Sequence, residues 1–283
     1  MSETPDATGG KDESEPNAET PEPTVQPPET PEASETTSIP SALGSPSAVD
    51  SPPEMTMGAV LNRAFALYKQ FFGRFFLLAL VVFLVLNLAT ALAAVTLRNN
   101  SGGGAFLSLV AIIVTIIGES LLLGALVFAV QDVLDGRADD SISGLLEKAR
   151  PYIGRLIGAG ILFGLGVAIG LILLVVPGLY LLTIWAVFAP VIVLEGTGIT
   201  DSFGRSRALV SGRFWPVFGV VIVASVLSAV AQSFVSLVLS FLPTFLRYWL
   251  GGAIASAVAV PFLVLAVTLT YFALRDEKAA SLP

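Results

Sequence analysis

Two residue types that carry much of protein chemistry are absent from this chain of 283 residues, which has no histidine and no cysteine. The first absence removes the commonest general base and transition-metal ligand. The second removes thiolate catalysis, disulfides and cysteine-bound zinc or iron–sulfur centres. Few residues with chemical reach remain. Glu119 stands in Ile117-Gly118-Glu119-Ser120 within an otherwise apolar run. A lone carboxylate there could be a proton or cation site, or a neutral group that holds helices together by hydrogen bonds. Asn87, Gln232 and the serines Ser225, Ser228, Ser233 and Ser236 are the amides and hydroxyls of other apolar runs that could partner it. Glu195 precedes Arg205 and Arg207 by ten and twelve residues, and Arg213 follows. A Glu–Arg contact in that group would pin one segment against another, or its arginines could take lipid phosphates in their bidentate fork. Nothing in the chain supplies an activated nucleophile or a metal cluster, so no catalytic residue, cofactor or metal site is expected.

The elements that hold these residues follow from composition. The chain is 54% hydrophobic and 13% charged, with a mean hydropathy of +0.81. Soluble domains are roughly 45–50% apolar and about 25% charged, so too little polar surface remains to cover a globule in water. Charge divides the chain. Residues 1–54 carry 12 acidic residues, one lysine and 11 of the 18 prolines, whereas 55–283 carry 10 acidic and 14 basic residues. A segment so acidic and poor in large apolar residues cannot offset its chain entropy by burial. Residues 1–55 are therefore expected to form a disordered, Pro-rich tail. Such a tail could dock a protein partner, accept phosphates, or act as a spacer. The acidic start, with no apolar run for about 75 residues, leaves no signal peptide in view.

From residue 56 onward, apolar runs long enough for roughly 30 Å of hydrocarbon recur. They predict spans at 75–97, 106–130, 153–175, 178–194, 217–241 and 250–273. The breaks are a polar, Gly-rich turn at Asn99–Gly104, a hairpin signal at Pro177-Gly178 and a stop at Pro243, with Tyr248-Trp249 as an interfacial anchor. With a cytoplasmic N-terminus, twelve Lys and Arg residues fall inside and only Arg98 and Arg247 outside. The positive-inside bias then places both termini in the cytoplasm and the protein in the cell membrane. The fold class expected is an all-α bundle of six transmembrane helices over 56–283, with amphipathic helices on the cytoplasmic interface.

Those amphipathic segments precede the odd-numbered spans, and each ends in Gly-Arg: Gly73-Arg74, Gly154-Arg155 and Gly212-Arg213. Val60, Leu61, Ala64, Phe65, Leu67, Tyr68, Phe71 and Phe72 form one face of the first, opposite Arg63 and Lys69. The intervals between the Gly-Arg marks are 81 and 58 residues. They fit either an internal repeat or simply a basic collar wherever a helix enters the membrane. Gly154, Gly158, Gly160, Gly164, Gly166 and Gly170 form small-xxx-small pairs suited to close helix packing, or to lining a path. Pro190 and Pro261 predict kinks.

The stretch 177–215 contains Pro177-Gly178-Leu179-Tyr180, Trp185, Ala189-Pro190, Glu195-Gly196, Arg205-Ser206, Leu209-Val210 and Gly212-Arg213-Phe214-Trp215. It resembles the membrane domain found in some glycerophosphoryl diester phosphodiesterases and in stand-alone prokaryotic membrane proteins. The resemblance implies a helical integral membrane domain over roughly 56–275. It implies no catalysis, because in those two-part proteins the activity belongs to a separate soluble barrel. The function expected is a non-enzymatic membrane scaffold or accessory protein. Its partners would be the anionic inner leaflet and a protein met through the tail, with no nucleic acid and no oligomeric state fixed. The alternatives are a small transporter or channel subunit that uses Glu119 and, more remotely, an intramembrane enzyme.

Overall fold

The computed structural model describes residues 56–98, 103–137 and 139–280. The expected acidic tail, 1–55, lies outside the described residues, as do 99–102 of the polar turn. All regular structure among the described residues is helical. In order the helices are α1 (Met57–Gln70), α2 (Phe72–Arg98), α3 (Gly104–Leu134), α4 (Ile142–Ala149), α5 (Ile153–Leu173), α6 (Val175–Ile184), α7 (Phe188–Glu195), α8 (Ile199–Val210), α9 (Phe214–Val238), α10 (Thr244–Leu246) and α11 (Gly252–Ala280).

Six segments are long and apolar enough to cross a bilayer: Phe72–Arg98, Gly104–Leu134, Ile142–Leu173, Val175–Glu195, Phe214–Phe241 and Thr244–Ala280. The chain is an all-helical, multi-pass membrane protein. Its outer surface agrees, for Ile172, Phe241 and Val176 are 85%, 77% and 73% exposed. A surface of that kind is stable against lipid and not against water.

Local chemistry sets several boundaries. The Thr56 hydroxyl accepts from the Ala59 amide at 3.3 Å and opens α1, and Ser141 does the same for Gly144 at 3.1 Å to open α4. Gly136 and Gly196 follow α3 and α7 with φ of 72° and 68°, a left-handed stop that glycine adopts without a Cβ clash. The third, Gly212, lies between α8 and α9 with φ of 86°.

Two expected breaks fall elsewhere. The hairpin read at Pro177-Gly178 turns instead at Leu174, whose extended backbone (φ −163°, ψ 141°) separates α5 from α6. Pro177 sits in the first turn of α6, where its missing N–H costs no helix bond. Gly178 packs where the two helices meet: a Cβ on Gly170 would lie 2.8 Å from Gly178 Cα. The kink expected at Pro190 is a full interruption one turn earlier, over Trp185–Val187. The proline ring displaces the carbonyl four residues before it, Ala186, so the helix stops there and restarts as α7. Pro261, by contrast, is carried inside a continuous α11.

Helix α11 is central and buries fourteen of its residues, whereas α3 is buried mainly in its second half, over Leu122–Val133. Ala253, Ala255, Ala257 and Ala259 let α11 approach its neighbours closely, and Leu265, Tyr271 and Leu274 fill the core beyond them. Helix α1 buries only Val60, Ala64 and Tyr68 of its expected apolar face, packing them against α11 and α9. Phe65 is 56% exposed. The Tyr68 hydroxyl donates to the Val258 carbonyl of α11 at 2.5 Å. Its burial pushes the phenol pKa up to about 12.

Candidate functional site

Because the spans alternate, the starts of α2, α5 and α9 share one end of the bundle with the ends of α3, α7 and α11. Twelve of the fourteen Lys and Arg residues of 55–283 belong to that end, called the basic end below.

The arginine of each Gly-Arg mark reaches the end of the returning span in its own hairpin. Arg74, at the start of α2, pairs with Asp132 near the end of α3 and donates to the Asp140 carbonyl at 3.1 Å. Arg155, at the start of α5, donates to the Gly196 carbonyl, just after α7, at 2.8 Å. Arg213, before α9, pairs with Glu277 near the end of α11, its Nε 2.7 Å from Glu277 Oε1. Each guanidinium thus fastens the mouth of a hairpin, two of them on carboxylates and one on a helix-terminal carbonyl.

Glu195 is the meeting point between hairpins. Arg205 Nε lies 2.9 and 3.2 Å from its two oxygens, and Tyr271 of α11 donates to Oε1 at 3.0 Å. The contact holds α8 against the end of α7. The hydrogen bond to Glu195 raises the Arg205 pKa further, so the guanidinium stays charged. Of the arginines grouped with Glu195 in the sequence, only Arg205 meets it. Arg213 goes to Glu277, and Arg207 is exposed without an acidic partner among the described residues. Arg63 and Arg150 are likewise exposed without one, and Lys69 lies over the Phe65 ring at 5.6 Å.

Between α1, the end of α3, the residue before α9 and the end of α11 lies a cleft of about 730 Å3 lined by three arginines, Arg63, Arg213 and Arg275, and three carboxylates, Asp135, Asp276 and Glu277. Arg275 sits 4.8 Å from the Phe272 ring centroid and pairs with Asp276 at 3.0 Å.

The intramembrane candidates do not converge. Glu119 was expected to face the interior; it is exposed on α3, with no hydrogen bond among the described residues. The cause is the helical step. Gly118 takes the packed position, where a Cβ would come 2.4 Å from Leu86 Cδ2, and the next residue turns about 100° away. Asn87 donates to the Phe83 carbonyl at 3.0 Å in its own helix. Gln232 donates to Ser256 at 3.3 Å. Of the serines, Ser228 is buried and donates to the Ala259 carbonyl at 3.0 Å. Among the described residues no three carboxylates come together to hold a metal.

The glycine-rich face of α5 is divided. A Cβ at Gly158 or Gly166 would meet Ile199 or Trp185 at 2.5 Å, whereas Gly160 and Gly164 have open space. Packing accounts for the first two.

Sequence reading missed Asp132, Tyr271 and Glu277. Asp132 and Glu277 were visible as opposite charges at the matching ends of consecutive spans. Tyr271 had no sequence signal beyond an aromatic near the end of the last span. No family model, no curated protein and no solved structure matches the chain.

Proposed function

We propose that the chain is a membrane scaffold or accessory protein without catalytic activity of its own, which gathers anionic phospholipids around its basic end. The observation that carries this reading is the exposed set Arg63, Lys69, Arg150 and Arg207, cations of the basic end without a carboxylate partner among the described residues, beside the paired Arg74, Arg205 and Arg213. Each cation near an anionic leaflet contributes about 1 kcal/mol of attraction, and arginine matches a phosphate with two parallel donors. Positive-inside bias puts this end in the cytoplasm of the cell membrane, with α1, α4 and α8 as its interfacial helices. The resemblance of 177–215 to the membrane domain of glycerophosphoryl diester phosphodiesterases supports a domain that works without a catalytic barrel. Transport through Glu119 has less support, because that side chain is exposed on α3 and meets no polar partner among the described residues.

The test is the lipid retained on purification. The protein is reconstituted in vesicles of phosphatidylcholine and phosphatidylglycerol, extracted in mild detergent, and its bound lipid quantified by mass spectrometry. Phosphatidylglycerol is expected to be enriched severalfold over the vesicle ratio, and the Arg63→Gln/Arg150→Gln/Arg207→Gln variant to lose most of that enrichment. Retained lipid at the vesicle ratio in both proteins would refute the reading.

A further inference from the structure

A second cavity, of about 250 Å3 and partly open to the outside of the bundle, lies among α3, α5, the α6–α7 interruption, α9 and α11. Its walls are neutral and mostly apolar, with Leu123, Phe163, Phe188 and Val264 among them. That volume exceeds the roughly 150 Å3 of an apolar cavity that stays dry and takes benzene.

Three polar groups line it without partners. Thr268 is fully buried, and its hydroxyl forms no hydrogen bond. The contrast with its neighbours is sharp. The hydroxyls of the other buried Ser and Thr residues, Thr183, Ser202, Ser206, Ser228 and Thr270, each donate to a backbone carbonyl at 2.6–3.0 Å, and among the described residues only the Thr197 hydroxyl, on a half-buried residue away from this cavity, is also enclosed without a partner. Thr270 does so within the same helix, to Ala266, whereas Thr268 makes no such bond. Ser225 on α9, half-buried, also lines the cavity and forms no hydrogen bond among the described residues. The third group is the Ala186 carbonyl, since Ala186 lines the cavity and Pro190, four residues on, has no amide proton to offer it. A buried polar group left unmatched is costly, so the buried Thr268 hydroxyl, with the half-buried Ser225 and Ala186 beside it on the wall, points to an occupant.

We infer that this cavity binds a neutral lipid bearing a free hydroxyl on a hydrocarbon chain. No lining side chain is charged, which excludes an anionic head. A ligand hydroxyl both donates and accepts, so it can donate to the Ala186 carbonyl, an acceptor only, and accept from Thr268 or Ser225. An ester or ketone could satisfy only the hydroxyls. This site is independent of the headgroup collar proposed above, because it concerns neutral lipid within the apolar part of the bundle, and either can fail alone.

The experiment is photolabelling of the full chain in phosphatidylcholine vesicles with a diazirine-bearing dodecanol, the adducts being mapped by mass spectrometry. Adducts are expected on the segments holding Ser225 and Thr268, displaced by excess dodecanol and not by dodecane. Thr268→Val keeps the shape and removes the hydroxyl, and should lower labelling roughly five- to tenfold. Thr268→Ser should restore it. Ser225→Ala tests the second wall with a milder change and should give a smaller loss. Adducts scattered over lipid-facing positions, displacement by dodecane equal to that by dodecanol, or unchanged labelling in Thr268→Val would each overturn the inference. Absence of labelling would do so too, leaving water as the occupant.

Discussion

Asp132→Asn removes the charge opposite Arg74 and leaves a largely enclosed guanidinium without its counter-ion. The Arg74 and Asp132 side chains are only 16% and 9% exposed, and Arg74 Nη1 is already buried without a partner. Breaking a buried pair from one side costs about 3–5 kcal/mol. The lower figure applies here, since Arg74 keeps its bond to the Asp140 carbonyl and some access to solvent. About 3 kcal/mol in a domain of this size corresponds to roughly 6–12 °C in melting temperature. The assay is thermal unfolding in detergent, followed by tryptophan fluorescence and far-UV circular dichroism. The double variant Arg74→Leu/Asp132→Leu removes both charges together and should recover most of the loss, because a buried pair often breaks even against apolar residues. A melting temperature within about 2 °C of wild type for Asp132→Asn, less than about 1 kcal/mol by the same scaling, would refute the assignment of this pair as a buried clasp. So would a double variant as unstable as the single one.

Other perturbations separate packing from polarity. Tyr68→Phe removes the donor to Val258 and should lower stability by about 1 kcal/mol, read from the melting temperature. With the Tyr68 phenol raised from 10.0 to about 12, its contribution is complete below pH 10 and disappears as pH rises toward 12. The wild type should therefore lose more stability than Tyr68→Phe across that window, and parallel pH profiles would contradict the burial. Gly170→Ala places a Cβ against the Gly178 backbone and should cost about 1–3 kcal/mol. Gly160→Ala, on the same helix in open space, should not destabilise, and equal losses would remove the distinction. Glu119→Leu should improve insertion of its span by about 3 kcal/mol in a translocon assay. It should leave the melting temperature unchanged, and a marked fall would mean the carboxylate is held inside the bundle.

Hydrophobic run length made the six spans legible, because it is a property of contiguous sequence. Rotational phase was not. Glu119 and Gly118 are adjacent, yet one packs on Leu86 and the other points away, and only the neighbouring helix decides which. The break in the fourth span was half legible. Pro190 marks the loss of one hydrogen bond, but its effect falls on Ala186, a turn upstream. The Glu195–Arg205 contact is short-range in sequence and so could be named as one of two readings. Arg213 lay nearby in the sequence and turned instead to Glu277, 64 residues on, a choice fixed by which helix end is adjacent. Thr268 could not be singled out at all, since a hydroxyl without a partner is defined by what surrounds it.

The arginine clasps also bear on how the protein is made. Each joins residues of one hairpin: Arg74 with Asp132, Arg155 with Gly196, Arg213 with Glu277. A nascent chain therefore holds both halves of a clasp as soon as the returning helix has been synthesised. The hairpins can enter the bilayer as successive closed pairs, each with its entering arginine already satisfied before the next begins. Ties from the last span to earlier elements, Tyr68 to Val258, Trp249 to Leu84 and Tyr271 to Glu195, wait for the last helix. Final locking of the bundle is thereby assigned to the end of synthesis, when the most buried segment slides into the centre of the others.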